Sequence, residues 1–149
     1  MTRRHAQRGA SMPEMAVAAV VFFLLLFGIV DFGRALYTYG FVAQLAREGA
    51  RWYIVRGTTS CANSQSLLNN CGANSSQVQA YVRSLNEGAT KTSLISVTAA
   101  PVSCPNGGTA AAAPGCTVAV TVTYPFAFAM GFMPGGITMS STSTMVVSQ

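Results

Sequence analysis

Residues 9–57 read GASMPEMAVAAVVFFLLLFGIVDFGRALYTYGFVAQLAREGARWYIVRG, and their reading decides the fold. Met15 to Val30 holds sixteen residues without a charge or a strongly polar side chain. At 1.5 Å per helical residue that run is about 24 Å long, against about 30 Å for a bilayer core. Met12 and Pro13 before it and Phe32 and Gly33 after it extend it to a membrane-spanning length. A chain of 149 residues has little interior in which to hide Phe22, Phe23, Leu24, Leu25, Leu26 and Phe27 on all sides of one helix. The run therefore reads as a transmembrane helix over about 13–33.

Helical spacing continues beyond the apolar run. Asp31 and Arg34 are three apart, which makes them neighbours on a helix surface, and they fall at the outer headgroup level. Tyr37, Tyr39 and Phe41 follow as interfacial aromatics do. Val42, Leu45, Ala46, Gly49 and Tyr53 then recur on one stripe, while Arg47, Glu48 and Arg51 fall largely off it and read as a solvated face. Gly57 reads as the stop. One helix over 10–57 is expected, its first half in lipid and its second half projecting from it.

Charge supports this orientation. Nine Lys and Arg against four Asp and Glu give a formal +5. Three of the bases, Arg3, Arg4 and Arg8, precede the apolar run; without residues 1–9 six bases face four acids, a balance of +2. The high pI belongs mostly to the N-terminus and speaks for topology, with the N-terminus cytoplasmic and the remainder across the membrane, and not for nucleic acid.

Residues 58–149 read as a small extracytoplasmic α+β head. Asn74 and Ser75 read as the cap of a short helix to about Glu87, stopped by Gly88, with Val78, Tyr81, Val82 and Leu85 on its apolar face. The period then changes to two. Ser93–Ala100, Cys116–Tyr124 (ended by Pro125) and Ile137–Val147 alternate as strands. Joined in order, they predict an antiparallel sheet of about three strands, one face covered by the extension of the long helix. The connection FAFAMGFM at 126–133 reads as a buried link completing the core, with an exposed sticky patch as the other possibility.

Cys61, Cys71, Cys104 and Cys116 all follow the apolar run. An even count in an oxidising compartment predicts two disulfides. Of three possible pairings, Cys61–Cys71 with Cys104–Cys116 is favoured, because each closes a local loop. No C-x-x-C pair supports zinc, and no cofactor motif is present. His5, the only histidine, lies in the leader, so a Ser-His or Cys-His nucleophile is lacking. Glu48 and Glu87 are the only acids after Asp31, a thin basis for paired-carboxylate chemistry. The composition speaks against an enzyme.

The N-terminal edge of the apolar run carries one further signal. Ser11-x-x-Glu14 fits a capping box with Pro13 in the first turn. RGASMPE also looks like a prepilin cleavage site, with Gly9 before the cut, Ala10 as the new N-terminus and Glu14 as the fifth mature residue. A competing small-x-small site, Gly33-Arg34-Ala35, would release a secreted chain starting at Leu36. The ordered set RGASMPEMA, apolar run, DFGRALYTYG and AREGAR resembles the TadE-like family of the tight-adherence (Tad, or Flp) pilus systems, over about residues 8–57. The resemblance implies a minor pilin or pseudopilin matured by a prepilin peptidase. It would act in the inner membrane with other pilin subunits and the pilus assembly platform, its head periplasmic. Glu14 would set subunit register by meeting the α-amino group of Ala10 on its own or a neighbouring chain. The alternative is a single-pass tethered or secreted binding module, an adhesin, that prepilin peptidase never processes.

Overall fold

The computed structural model describes residues 11–57, 73–86, 90–105, 113–129 and 135–148. Helix α1 runs Ser11–Val55, 45 residues, or about 68 Å at helical rise. Pro13 is accommodated because N–H groups of the first turn have no intrahelical acceptor to lose. Glu14 stands in the first turn, against the positive end of the helix dipole. The helix ends at Val55, two residues before Gly57.

The two halves of α1 live in different surroundings. Every residue from Met12 to Val30 is exposed. From Asp31 onward a stripe turns inward, through Thr38, Val42, Leu45, Ala46, Gly49, Ala50 and Tyr53. That stripe has the period of a helix lying on one surface, and the surface is the sheet.

Helix α2, Ser75–Ser84, begins at Asn74. The Asn74 carboxamide oxygen accepts from the Gln77 N–H at 2.9 Å, and the Gln77 side chain accepts from the Asn74 N–H at 3.2 Å. This reciprocal cap satisfies two otherwise unpaired donors. Val78 and Val82 are buried; Tyr81 and Leu85 are half-buried. The helix stops three residues before the expected Glu87. Asn86 is the cause: its Nδ2 donates to the Thr90 carbonyl at 2.7 Å and to Thr92 Oγ1 at 2.9 Å, and its Oδ1 accepts from Thr90 N–H and Oγ1. A side chain that bonds local backbone in this way competes with another helical turn.

Three strands, β1 (Ser96–Ser103), β2 (Thr117–Phe126) and β3 (Ile137–Val146), form an antiparallel sheet in the order β1-β2-β3. The boundaries differ from expectation most in β1 and at the end of β2, and at two of them the strand runs through a proline. β1 starts three residues late, because Thr92–Leu94 form a 3-10 turn, and it runs through Pro101. That is tolerated because β1 has a neighbour on one side only. β2 runs through Pro125, which lies opposite Thr138 of β3. Pairing with β1 ends at Thr123, so at Pro125 the central strand is an edge, and a missing N–H need cost no ladder bond.

Alternation places Val97, Val118, Val120, Val122 and Met139 inward, all buried. The four valines meet the α1 stripe and Val78 and Val82 of α2 in one continuous core. The opposite face carries Ser96, Thr98, Thr117, Thr121, Thr123, Thr138, Ser140, Thr142 and Thr144, with Thr121 and Thr142 hydroxyls 2.8 Å apart. The architecture is α+β: a long apolar N-terminal helix, a short second helix and a three-stranded antiparallel sheet.

Candidate functional site

The site is α1 itself and its junction with the sheet. Along residues 12–30 the helix offers an apolar cylinder on which Phe22, Phe23, Leu25 and Ile29 stand free. It is the one helix among the described residues long and apolar enough to cross a membrane, and only 6% of its most apolar window is buried. Glu14 is exposed near its start. Gly9, Ala10, Cys61 and Cys71 lie outside the described residues.

The junction is built on Asp31. Its Oδ1 lies 2.9 Å from Arg34 Nη1 and also accepts the Ala129 N–H at 3.2 Å. The carboxylate is 8% exposed and the guanidinium 50%, so half of the pair is screened by solvent. The Ala129 bond spans 98 positions of sequence and fastens the segment after β2 to the helix where it leaves its bare half. Thr38, one turn on, donates its hydroxyl to the Arg34 carbonyl at 2.9 Å. Phe126 packs edge-on against Phe128 at 5.4 Å, with the Arg34 guanidinium 5.5 Å from the Phe126 ring. Phe126 is buried and Phe128 half-buried, while Ala127 and Ala129 are exposed; Phe132 and Met133 lie outside the described residues.

Two recesses flank the junction. One, of about 790 Å³, is mainly apolar and lies between Gly28, Phe32, Ala35 and Tyr39 of α1 and Ile137 and Met139 of β3. The other, of about 320 Å³, is bounded by Arg34, Tyr37, Thr38, Lys91, Tyr124 and Phe126.

At the far end of α1, Trp52 stacks on Tyr81 of α2 at 5.4 Å, and the Arg56 guanidinium lies over the Trp52 ring at 4.2 Å. Glu48 and Arg51 approach to 3.4 Å on the exposed side, a contact worth at most about 0.5 kcal/mol. A disulfide joins Cys104 to Cys116. Among the described residues, no group of three His, Cys, Asp or Glu side chains could hold a metal ion.

Sequence reasoning missed the Asp31–Ala129 link and the Arg56–Trp52–Tyr81 stack. Both depend on tertiary placement, and neither has a periodic signature. An acid just past an apolar run was the only available signal for the first.

A bare apolar half-helix, continuous with a half-helix fastened to a small sheet, defines a class: a head on a hydrophobic stalk, compatible with single-pass membrane anchoring. Residues 9–51 match the family model described as TadE-like protein, the family these same residues resemble. The match covers the bare half of α1 and most of its packed half. It suggests a subunit associated with a Tad pilus, within a family of structural pilus components. Among curated proteins and among solved structures, nothing matches the chain.

Proposed function

We propose that the protein is a minor pilin or pseudopilin of a Tad-type pilus or related secretion machine. In this reading residues 1–9 are a leader, residues 10–57 the long helix and residues 58–149 the head. The stalk holds the subunit in the inner membrane, N-terminus cytoplasmic and head periplasmic. Prepilin peptidase cuts after Gly9, and the assembly platform moves the mature chain into a filament of pilin subunits. The supporting observation is the division of α1: an apolar half left bare, with one carboxylate near its start, and a half committed to the head.

Physical chemistry gives Glu14 its role. A carboxylate at the centre of a membrane helix costs about 2.5–3.5 kcal/mol, and less toward the end. That cost is offset when it meets a positive group, and the α-amino group of a cleaved Ala10 supplies one. Apolar helices slide past one another at little cost, whereas one charge pair per interface selects one axial offset. The test is Glu14→Gln. The variant is expected to remain in the membrane through an alkaline wash and to disappear from the sheared filament fraction. Equal recovery of variant and wild type in filaments contradicts the register role.

A further inference from the structure

We infer that the recess bounded by Arg34, Tyr37, Thr38, Lys91 and Tyr124 binds the phosphate of a phospholipid headgroup, and so seats the head on the membrane surface. The inference rests on the membrane-anchored reading of α1 and adds a specific lipid contact to it.

Position comes first. The membrane-spanning stretch ends near Gly33. At 1.5 Å per residue, Arg34 stands about 2 Å beyond it and Thr38 about 8 Å. The headgroup layer adds about 5–8 Å on each side of the hydrocarbon. The helix side of the recess thus runs through the headgroup layer, from its inner edge to its outer one.

Chemistry comes second. The recess has about 320 Å³ of space, ample for a phosphodiester. Two cations line it, Arg34 from α1 and Lys91 from the start of the 3-10 turn, together with the hydroxyl-bearing Tyr37, Thr38 and Tyr124. Among the described residues no carboxylate lines it. Asp31 engages Arg34 through Nη1 and lines the other recess. A guanidinium has five N–H donors in a planar fork, so Arg34 retains donors for a phosphate, which that fork suits. Lys91 is exposed. Its carbonyl accepts the Leu94 N–H at 2.9 Å, which fixes the turn that carries it. A screened surface ammonium gains little by itself. One that lines the same recess as a guanidinium provides a second anchor for the same anion.

Lys91 is the sole lysine of the 149 residues, so amine acetylation followed by peptide mass mapping reads this site alone. The full chain is compared in a sugar-detergent micelle, in vesicles of phosphatidylglycerol with phosphatidylcholine, and in vesicles of an uncharged galactolipid. Acetylation of Lys91 is expected to be about tenfold slower in phospholipid than in either phosphate-free setting, the scale of one charge-assisted hydrogen bond. Equal rates in phospholipid and galactolipid vesicles overturn the proposal. Protection in micelles by millimolar inorganic phosphate assigns the recess to a free anion and overturns the lipid. Flotation after an alkaline wash reads insertion separately. A chain that floats without Lys91 protection refutes only the headgroup site, and a chain that does not float refutes the anchored reading and this inference with it. Native mass spectrometry gives a second readout: Lys91→Gln is expected to lose retained phospholipid and Lys91→Arg to keep it. Equal retention in both variants counts against the site.

Discussion

Gly49 lies close against the core, and its replacement by alanine tests how the helix is fastened to the head. A Cβ placed there lies 2.9 Å from Val82 Cγ2, 3.2 Å from Val120 Cγ1 and 3.5 Å from Val78 Cγ1. All three valines are fully buried, and β-branched side chains have few rotamers into which to retreat. Helix propensity favours Ala over Gly by about 1 kcal/mol. An extra methyl in a filled core costs about 1–3 kcal/mol. The steric effect wins, and Gly49→Ala is expected to destabilise by about 1 kcal/mol, lowering Tm by roughly 4 °C in a domain of this size. In a Val82→Ala background the 2.9 Å contact disappears. The 3.2 Å approach to Val120 Cγ1 remains, so the same substitution should then be close to neutral relative to Val82→Ala alone, a coupling of about 1 kcal/mol. Denaturant unfolding in detergent, followed by the fluorescence of Trp52, the only tryptophan, reads the α1–α2 interface directly. A Gly49→Ala effect of the same size in both backgrounds refutes the close-packing argument.

Other perturbations address the junction and the sheet. Asp31→Ala removes the acceptor of the exposed Ala129 N–H at a cost of about 1 kcal/mol, whereas Asp31→Asn keeps an acceptor and loses less, since Arg34 is half-exposed. Amide hydrogen exchange at Ala129 should therefore accelerate in the alanine variant and change little in the asparagine one. Replacing Cys104 and Cys116 together by serine opens a loop of 12 positions and should cost about 3 kcal/mol in denaturant titrations under oxidising conditions. Burial raises the Tyr53 hydroxyl above its ordinary value of about 10. The folded chain thus keeps a proton that the unfolded chain releases, so this contribution is complete below about pH 10 and is lost as pH rises through the raised value. Tyr53→Phe should flatten the alkaline slope of stability against pH.

Much of the fold was legible because its main elements bury one face at a fixed period. Val42, Leu45, Ala46, Gly49 and Tyr53 mark one stripe of α1, and Val118, Val120 and Val122 one face of β2; both sets are buried. The bare half of α1 was legible for the opposite reason, since an all-round apolar run of that length has no place in so small a core. Boundaries were less legible because they depend on neighbours. Pro125 stops a strand flanked on both sides, but here β1 has already ended. The end of α2 depends on where Asn86 sends its side chain, toward Thr90 and Thr92. At the junction Asp31 and Arg34 are within one helical turn and could be paired on paper. The Ala129 bond to Asp31 and the approach of Lys91 to the helix arise only when the sheet closes onto α1.

The central claim, that α1 is the stalk of a pilin-like subunit freed at its N-terminus, is tested most directly on protein from its native membrane. The measurement is the N-terminal sequence together with intact mass. The account predicts a chain beginning at Ala10, still carrying the whole apolar run. A chain beginning at Met1 contradicts pilin-type processing, and one beginning at Leu36 contradicts the membrane stalk altogether.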